Sequence, residues 1–499
     1  MTDQTRTDVT AIAPIPAAPR PSHGPLPRRI LFLAVPIFCL FLVIRTVGVE
    51  PYGVPTGSMA PALVGNHRET FCPRCGYRVI VGEPSRDRTD PYPLATCPNC
   101  GRDGIDLSAS QDIPGDRLLV DKNVFSLRSP RRWEVAVFHC PVDTTTPYVK
   151  RVVGLPGEAV QVIGGDVFAN GTILRKTLSE LREVRVPVFD MNFAPPGGWA
   201  VRWLIAPLAA NPPQPNSGVT PDGAVVDESV LKDGVLTLDA ASAPNAAVGL
   251  TYRHWNLDRK TEEPVRDRLA YNDASSNRAK SPVDVHDFLV EFDLEWGAGT
   301  GSFAMRLGDG LDSVSAELGS ESVKLGPDGG DPGVKPGFHP IPGRTYHLAF
   351  AFADRRASLA VDGKEMLPPV DLPADPAALS RRVGVSHPLQ FGARGVRVAV
   401  KNLILYRDVH YRSDGPNGTR LPYQLGPNEY FMLGDNSANS ADSRVWTKPK
   451  TGAAAGVPER DFIGKPFLIH QPLRLGRLRV NGRDRTFQTV DWSRVKWVR

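Results

Sequence analysis

The chain has 499 residues, with 59 Lys and Arg against 54 Asp and Glu and a net charge of +5. That length allows about two to four domains with cores of their own, and so even a balance excludes a nucleic-acid binder that works through overall charge. Forty-eight Pro and 46 Gly beside only 8% aromatic residues point to many turns and short strands, and so to a mainly β protein.

Residues 1–29 are rich in Pro and Ala, show no hydrophobic period and read as a disordered tail. Residues 30–49, ILFLAVPIFCLFLVIRTVGV, are an apolar run interrupted by Pro36 and Arg45. At about 1.5 Å per residue the run covers roughly 30 Å, the thickness of a bilayer core, which predicts one transmembrane helix. Arg20, Arg28 and Arg29 before the run outnumber Arg45 after it, so the positive-inside tendency places the tail in the cytoplasm and everything from residue 50 outside. No A-x-A site follows, so a cleaved leader is not expected.

Next come FCPRCG and TCPNCG, two C-x-x-C knuckles separated by 21 residues, which contain Cys72, Cys75, Cys97 and Cys100. Each has Pro inside and Gly behind, a pattern suited to a tight turn aiming two thiolates at one ion. Residues 71–109 are therefore expected to form a zinc ribbon with a structural four-thiolate site. A pair of disulfides is the alternative that an outside location permits. Cys39 and Cys140 read as packed small hydrophobes.

Residues 113–171 alternate as short strands and turns and predict a β-meander. A long interruption follows over residues 181–412, Pro-rich at first. From about residue 240 its strands are clear: Phe288, Val290, Phe292, Leu294 and Trp296 share one face, and Glu291, Asp293 and Glu295 the other. TYHLAFAFADRRASLAVDGKEM predicts two strands round a charged turn, and GVRVAVKNLILYRDVHY a closing one. The expectation is an inserted β-sandwich over about residues 240–412, similar in pattern to laminin-G and concanavalin-like domains, serving as a spacer, a protein contact or a sugar binder. Residues 413–475 return to strand, polar loop and strand. A basic tail closes the chain at 476–499; the last 29 residues hold eight Lys or Arg, two Asp, Trp492 and Trp497, which fits either an anionic membrane surface or a solvated tail.

The stretch VEPYGVPTGSMAPAL puts Ser58 at the outer edge of the apolar run. A serine hydroxyl needs a base within hydrogen-bond reach, and none of the ten His stands in a recognisable triad motif. Lysine serves if burial keeps its amine neutral. Lys150, in YVKRVVGL, falls on one strand face with Tyr148 and Val152 and is a candidate.

PTGSMAPAL, GDRLLVDK, YVKRVVGLPGE and GDNSANSADSR resemble, in order, the signature boxes of bacterial type I signal peptidases, membrane-bound Ser/Lys endopeptidases. The resemblance implies Ser58 as nucleophile and Lys150 as general base. Thr56 would give its hydroxyl, with the Ser58 N–H, to the oxyanion hole. Ser440 would hydrogen-bond and orient Lys150, Asp442 and Arg444 would form a supporting ion pair, and Gly434, Asp435 and Asn436 would shape the loop. It further implies a signal-peptidase-type β-fold over residues 50–70, 110–180 and 413–475, with no cofactor for catalysis beside the structural zinc. The expected place is the bacterial inner membrane, single-pass, N-terminus cytoplasmic and catalytic domain periplasmic. Expected partners are signal-peptide-bearing preproteins, membrane lipids and the secretion machinery, with no nucleic acid. Ser437 stands where members often carry a basic residue, and neither the ribbon nor the sandwich belongs to the common core. Two other functions suit the same residues: a membrane-anchored Ser/Lys protease with one dedicated substrate, and a non-catalytic binding protein using the sandwich.

Overall fold

The computed structural model describes residues 33–39, 48–83, 94–206, 224–242, 247–274, 281–448, 452–453, 455–480 and 483–498. The expected disordered tail lies outside the described residues, as does most of the expected membrane span. Residues 33–39 are helical, and among the described residues no helix is long and apolar enough to cross a membrane. Met1–Val49 and Glu50–Arg499 are separate units; the second holds everything below.

The sheet that carries the site has eight strands. Its order is Val49–Gly53, Arg117–Asp121, Phe462–Ile469, Val135–Cys140, Asp143–Gly154, Glu429–Leu433 and Gly456–Pro458, with Lys496–Trp497 added beside Phe462–Ile469. The meander expected over residues 113–171 is therefore interrupted: Phe462–Ile469, from the far end of the chain, separates Arg117–Asp121 from Val135–Cys140. Alternation identifies a strand but is blind to its neighbour. Val135–Cys140 is central and buried on both faces, which explains its continuous apolar run: Val135 and Val137 pack with Met59 and Leu118, while Ala136, Phe138 and Cys140 pack with Tyr430 and Trp446.

The long middle segment forms a fifteen-stranded antiparallel sheet built on Phe288–Gly308 and Leu389–Arg407. Phe292 and Phe303 would lie about 36 Å apart on an uninterrupted strand. Their rings are 6.1 Å apart, because register shifts between Trp296, Gly299 and Ser302 turn the strand back over its own core. The sheet starts earlier in the chain than its clear alternation suggests: Val186–Asp190 already pairs with Leu389–Arg407. The charged turn between Thr345–Ala353 and Arg356–Val361 places Asp354 and Arg355 at positive φ. Both are buried: Lys176 bonds Asp354 at 2.8 Å and also Asp408 at 2.8 Å, and Arg355 bonds Asp309 at 2.6 Å. These paired charges fasten the large sheet to the segments flanking it.

The basic C-terminal residues are structured as well. Leu473–Val480 and Arg483–Val490 form a hairpin, and beyond it Asp491 receives Arg78 at 2.8 Å and Arg494 reaches Asp116 at 2.5 Å. Trp492 and Trp497 are exposed.

Candidate active site

Val49–Gly53 leads from the sheet edge into the Ser58 loop. The loop turns tightly, Ala60 N–H donating to the Gly57 carbonyl at 3.1 Å and Leu63 N–H to Met59 at 2.9 Å, and it is anchored by buried Met59, Ala60, Leu63 and Val64. Asp143–Gly154 pairs with Val135–Cys140 so that Lys150 lies opposite Ala136 and Tyr148 opposite Phe138. Tyr148, Lys150 and Val152 thus share a face, and Arg151 alternates to the other.

The fold brings Lys150 to Ser58: Lys150 Nζ donates to Ser58 Oγ at 2.6 Å and to the Val149 carbonyl at 3.1 Å. Lys150 is only 4% exposed. Burial pushes its amine down from 10.5 to about 8, against the opposing charges of Asp442, Cys140 and Asp435. The amine is thus poised to be neutral at mildly alkaline pH, as a base for a hydroxyl must be. Both side chains line a cleft of about 720 Å³, together with Tyr52, Thr56, Val137, Tyr148, Ser440 and Tyr271. The exposed Thr56 side chain stands two residues from Ser58 in this cleft.

Most of the remaining expected site residues lie close by. Asp442 and Arg444 are paired through two bonds of 2.9 and 2.8 Å, and Asp442 also accepts from the Gly434 N–H at 3.1 Å. Asp435 takes both arms of Arg151, at 2.8 and 2.6 Å, in a buried pair that fixes the strand one residue past Lys150. Asn436 holds the Ser58 loop twice: its N–H donates to the Ser58 carbonyl at 3.0 Å and its side chain to the Gly57 carbonyl at 2.9 Å. At Gly434 a Cβ would lie 2.2 Å from Ser440 Oγ and 2.5 Å from the Ser58 carbonyl oxygen, so glycine is required for this approach. Ser437 is buried and accepts from Arg444 Nη1 and from the Arg412 N–H, both at 2.8 Å; a basic side chain there would meet the Arg444 guanidinium.

One expected bond is not made. Ser440 Oγ is buried in the site without a hydrogen-bond partner among the described residues, pressed against Gly434, while the Lys150 amine points to Ser58 and Val149 instead. The residues that sequence reasoning passed over are Arg151, Tyr271 and Asn272. The first is hidden by the more conspicuous Lys150, and the other two are hidden by their distance along the chain.

The four cysteines also converge. Their sulfurs all lie within 4.8 Å of one another, Cys72 to Cys100 at 3.5 Å and Cys75 to Cys97 at 3.7 Å. These separations are far beyond the roughly 2.05 Å of a disulfide and near the ~3.8 Å edge that four Zn–S bonds of about 2.3 Å would give. Gly76 and Gly101, at φ +74° and +75°, close the two knuckles by donating to the Cys72 and Cys97 carbonyls at 2.9 and 3.0 Å. The residues therefore fit a structural zinc ion.

Residues 105–194 and 397–470 match the family described as Signal peptidase, peptidase S26. In these segments the chain is similar to that family. They hold Lys150 and residues 434–444, whereas Thr56, Ser58 and the four cysteines lie outside them. Signal peptidase I of Rickettsia typhi is 30% identical over 141 residues, 28% of this chain and 42% of that protein. The Rickettsia prowazekii protein of the same name is 29% identical with the same coverage. The chain thus spans less than half the length of these curated relatives. Among solved structures, alginate lyase A1-II′ is 12% identical at a TM-score of 0.24, covering 42% of this chain and 95% of that one. The carbohydrate-binding module CBM66 from Bacillus subtilis is 16% identical at 0.19, covering 25% and 76%. Likenesses so slight assign nothing.

Proposed function

We propose that the protein is a signal peptidase, a membrane-bound serine endopeptidase that removes signal peptides from exported preproteins with a Ser/Lys dyad. The observation that carries this reading is the 2.6 Å contact between Lys150 Nζ and Ser58 Oγ, made by a buried lysine at the floor of an open cleft. Ser58 attacks the scissile carbonyl as Lys150 takes its proton. The developing oxyanion is met by the Ser58 N–H and the Thr56 hydroxyl, each such donor worth about 3 kcal/mol. Lys150 returns the proton to the leaving amine and then activates the water that frees the acyl group. Ser440, whose buried hydroxyl has no partner among the described residues, orients the amine as the side chains adjust to substrate. Asp442 with Arg444, and Gly434 to Asn436, keep the loops in register.

On this reading residues 30–49 span the bacterial inner membrane with the N-terminus cytoplasmic, so that the cleft works on the periplasmic side, beside lipid and the secretion machinery. The substrate lies extended along the sheet edge, with small side chains at the first and third positions before the cut. Cys72, Cys75, Cys97 and Cys100 would hold a structural zinc in a ribbon, and the large sheet is a laminin-G or concanavalin-like sandwich inserted in the catalytic fold. Incubating a purified preprotein with the protein in detergent tests the reading. Cleavage at the leader junction is expected, and an intact preprotein with unreacted Ser58 would count against it.

A further inference from the structure

The cleft is not built from the family-matched segments alone. The short 3₁₀ segment Ala270–Ala274, which precedes the long strand Phe288–Gly308, lines it with Tyr271 and reaches Asn436 with Asn272. The Tyr271 ring lies where the side chains of three glycines would be. A Cβ on Gly57, the residue before the nucleophile, would fall 1.8 Å from Tyr271 Cε1; on Gly82, 2.4 Å from the same atom; on Gly65, 2.8 Å from the Tyr271 hydroxyl. That hydroxyl donates to the Asn66 carbonyl at 2.9 Å, and the ring packs with Ala60 and Val64 of the nucleophile loop. The next residue, Asn272, forms a reciprocal amide pair with Asn436 at 2.8 and 2.7 Å. Asn436 in turn holds the Gly57 and Ser58 carbonyls. Asp273 fixes the segment from behind, accepting from the Thr96 N–H at 2.9 Å and from Arg268 at 2.8 Å.

We infer that Tyr271 is a specificity-determining wall of the peptidase cleft and Asn272 a positioning residue for the nucleophile loop, so that the inserted sheet completes the active site. This rests on the Ser58/Lys150 reading above. A glycine before the nucleophile leaves backbone room that a substrate side chain could use, and the ring occupies it. One substrate position beside the scissile bond is thereby confined to small side chains. Asn272 works at one remove: by pairing with the Asn436 side chain it fixes the amide that holds the Gly57 carbonyl, just before Ser58, and with it the aim of Ser58 Oγ.

The test uses the full chain in detergent micelles and two substrates. A burst of p-nitrophenolate from a short alanyl p-nitrophenyl ester reports acylation of Ser58, with Ser58→Ala as blank. A set of preprotein-derived peptides, with Ala, Leu and Phe placed in turn at each position flanking the cut, reports the wall. In Tyr271→Ala the ratio of kcat/KM for Phe over Ala should rise at least tenfold at one position, while in Tyr271→Phe that ratio should stay at the wild-type value. Asn272→Ala should slow the burst with KM for the peptides little changed, and combining it with Asn436→Ala should cost less than the two single effects multiplied. Unchanged ratios at every position in a Tyr271→Ala protein that still gives a burst overturn the wall. Multiplicative single effects, or a loss carried by KM, overturn the positioning role. If wild type gives no burst, the Ser58/Lys150 reading itself fails and takes this inference with it.

Discussion

The pH profile of cleavage follows from the burial of Lys150. Its amine is pushed down to about 8, chiefly by desolvation. The neutral, base-competent fraction is then about one in a hundred at pH 6, one in ten at pH 7, half at pH 8 and nine in ten at pH 9. Hence kcat/KM should rise nearly tenfold from pH 6 to 7, bend near 8 and level above 9, a total gain of about 100-fold. A solvated lysine near 10.5 would still be climbing tenfold per unit at pH 9. Asp442 is the largest charge holding the amine up, so Asp442→Asn should move the bend below 8. The assay is kcat/KM for a purified preprotein in detergent from pH 6 to 10, with Ser58→Ala as blank. A flat profile, a bend near 10, or an upward move in Asp442→Asn would refute the reasoning.

Other consequences can be measured separately. Lys150→Met removes an amine whose charged form the fold disfavours by about 3 kcal/mol and loses two hydrogen bonds of about 1 kcal/mol each, so at pH 7 denaturant unfolding of the sheet that carries it should cost about 1 kcal/mol more. The sign follows from the unfolded chain holding its proton up to 10.5 and the folded one only to about 8: wild-type stability rises with pH between those values, so the gain of the variant shrinks from about pH 8 and is gone above 10.5. Gly434→Ala drives a methyl into Ser440 Oγ and the Ser58 carbonyl and should slow Ser58 acylation on the order of 100-fold in burst kinetics. Arg151→Ala strands buried Asp435 and should cost about 3–5 kcal/mol by thermal denaturation. Metal analysis should find one zinc per chain, lost in Cys72→Ser; a metal-free protein whose cysteines are joined in disulfides by mass spectrometry would reject the ribbon.

The Ser58–Lys150 contact was legible because both residues sit in short contiguous boxes: GSM around Ser58, and YVKRV around Lys150 with its strand-face neighbours. The cysteine cluster was legible for the same reason, as two CPxCG turns can be read locally. What depends on distant partners was not. Phe462–Ile469 reads as a strand, but only the folded sheet shows it between two strands more than 300 residues earlier. Val186–Asp190 and Trp203–Ile205 belong to the large sheet, yet strands of five and three residues beside a Pro-rich stretch leave too few alternations to see. The charged turn at Asp354 and Arg355 looks solvent-exposed in sequence and is buried, because its partners Lys176 and Asp309 come from far along the chain. Leu473–Val480 and Arg483–Val490 flank Asn481 and Gly482, a hairpin signal masked by the density of arginines. Tyr271 and Asn272 carry no local mark at all; only the glycines that Tyr271 covers, at 57 and 82, hint that something must lie against them.

The most direct measurement of the central claim is preprotein cleavage by wild type, Ser58→Ala and Lys150→Ala side by side, with mass spectrometry of the protein for an acyl adduct on Ser58. The account predicts cleavage at the leader junction and a trapped Ser58 adduct for wild type alone. Cleavage that survives either substitution would contradict it.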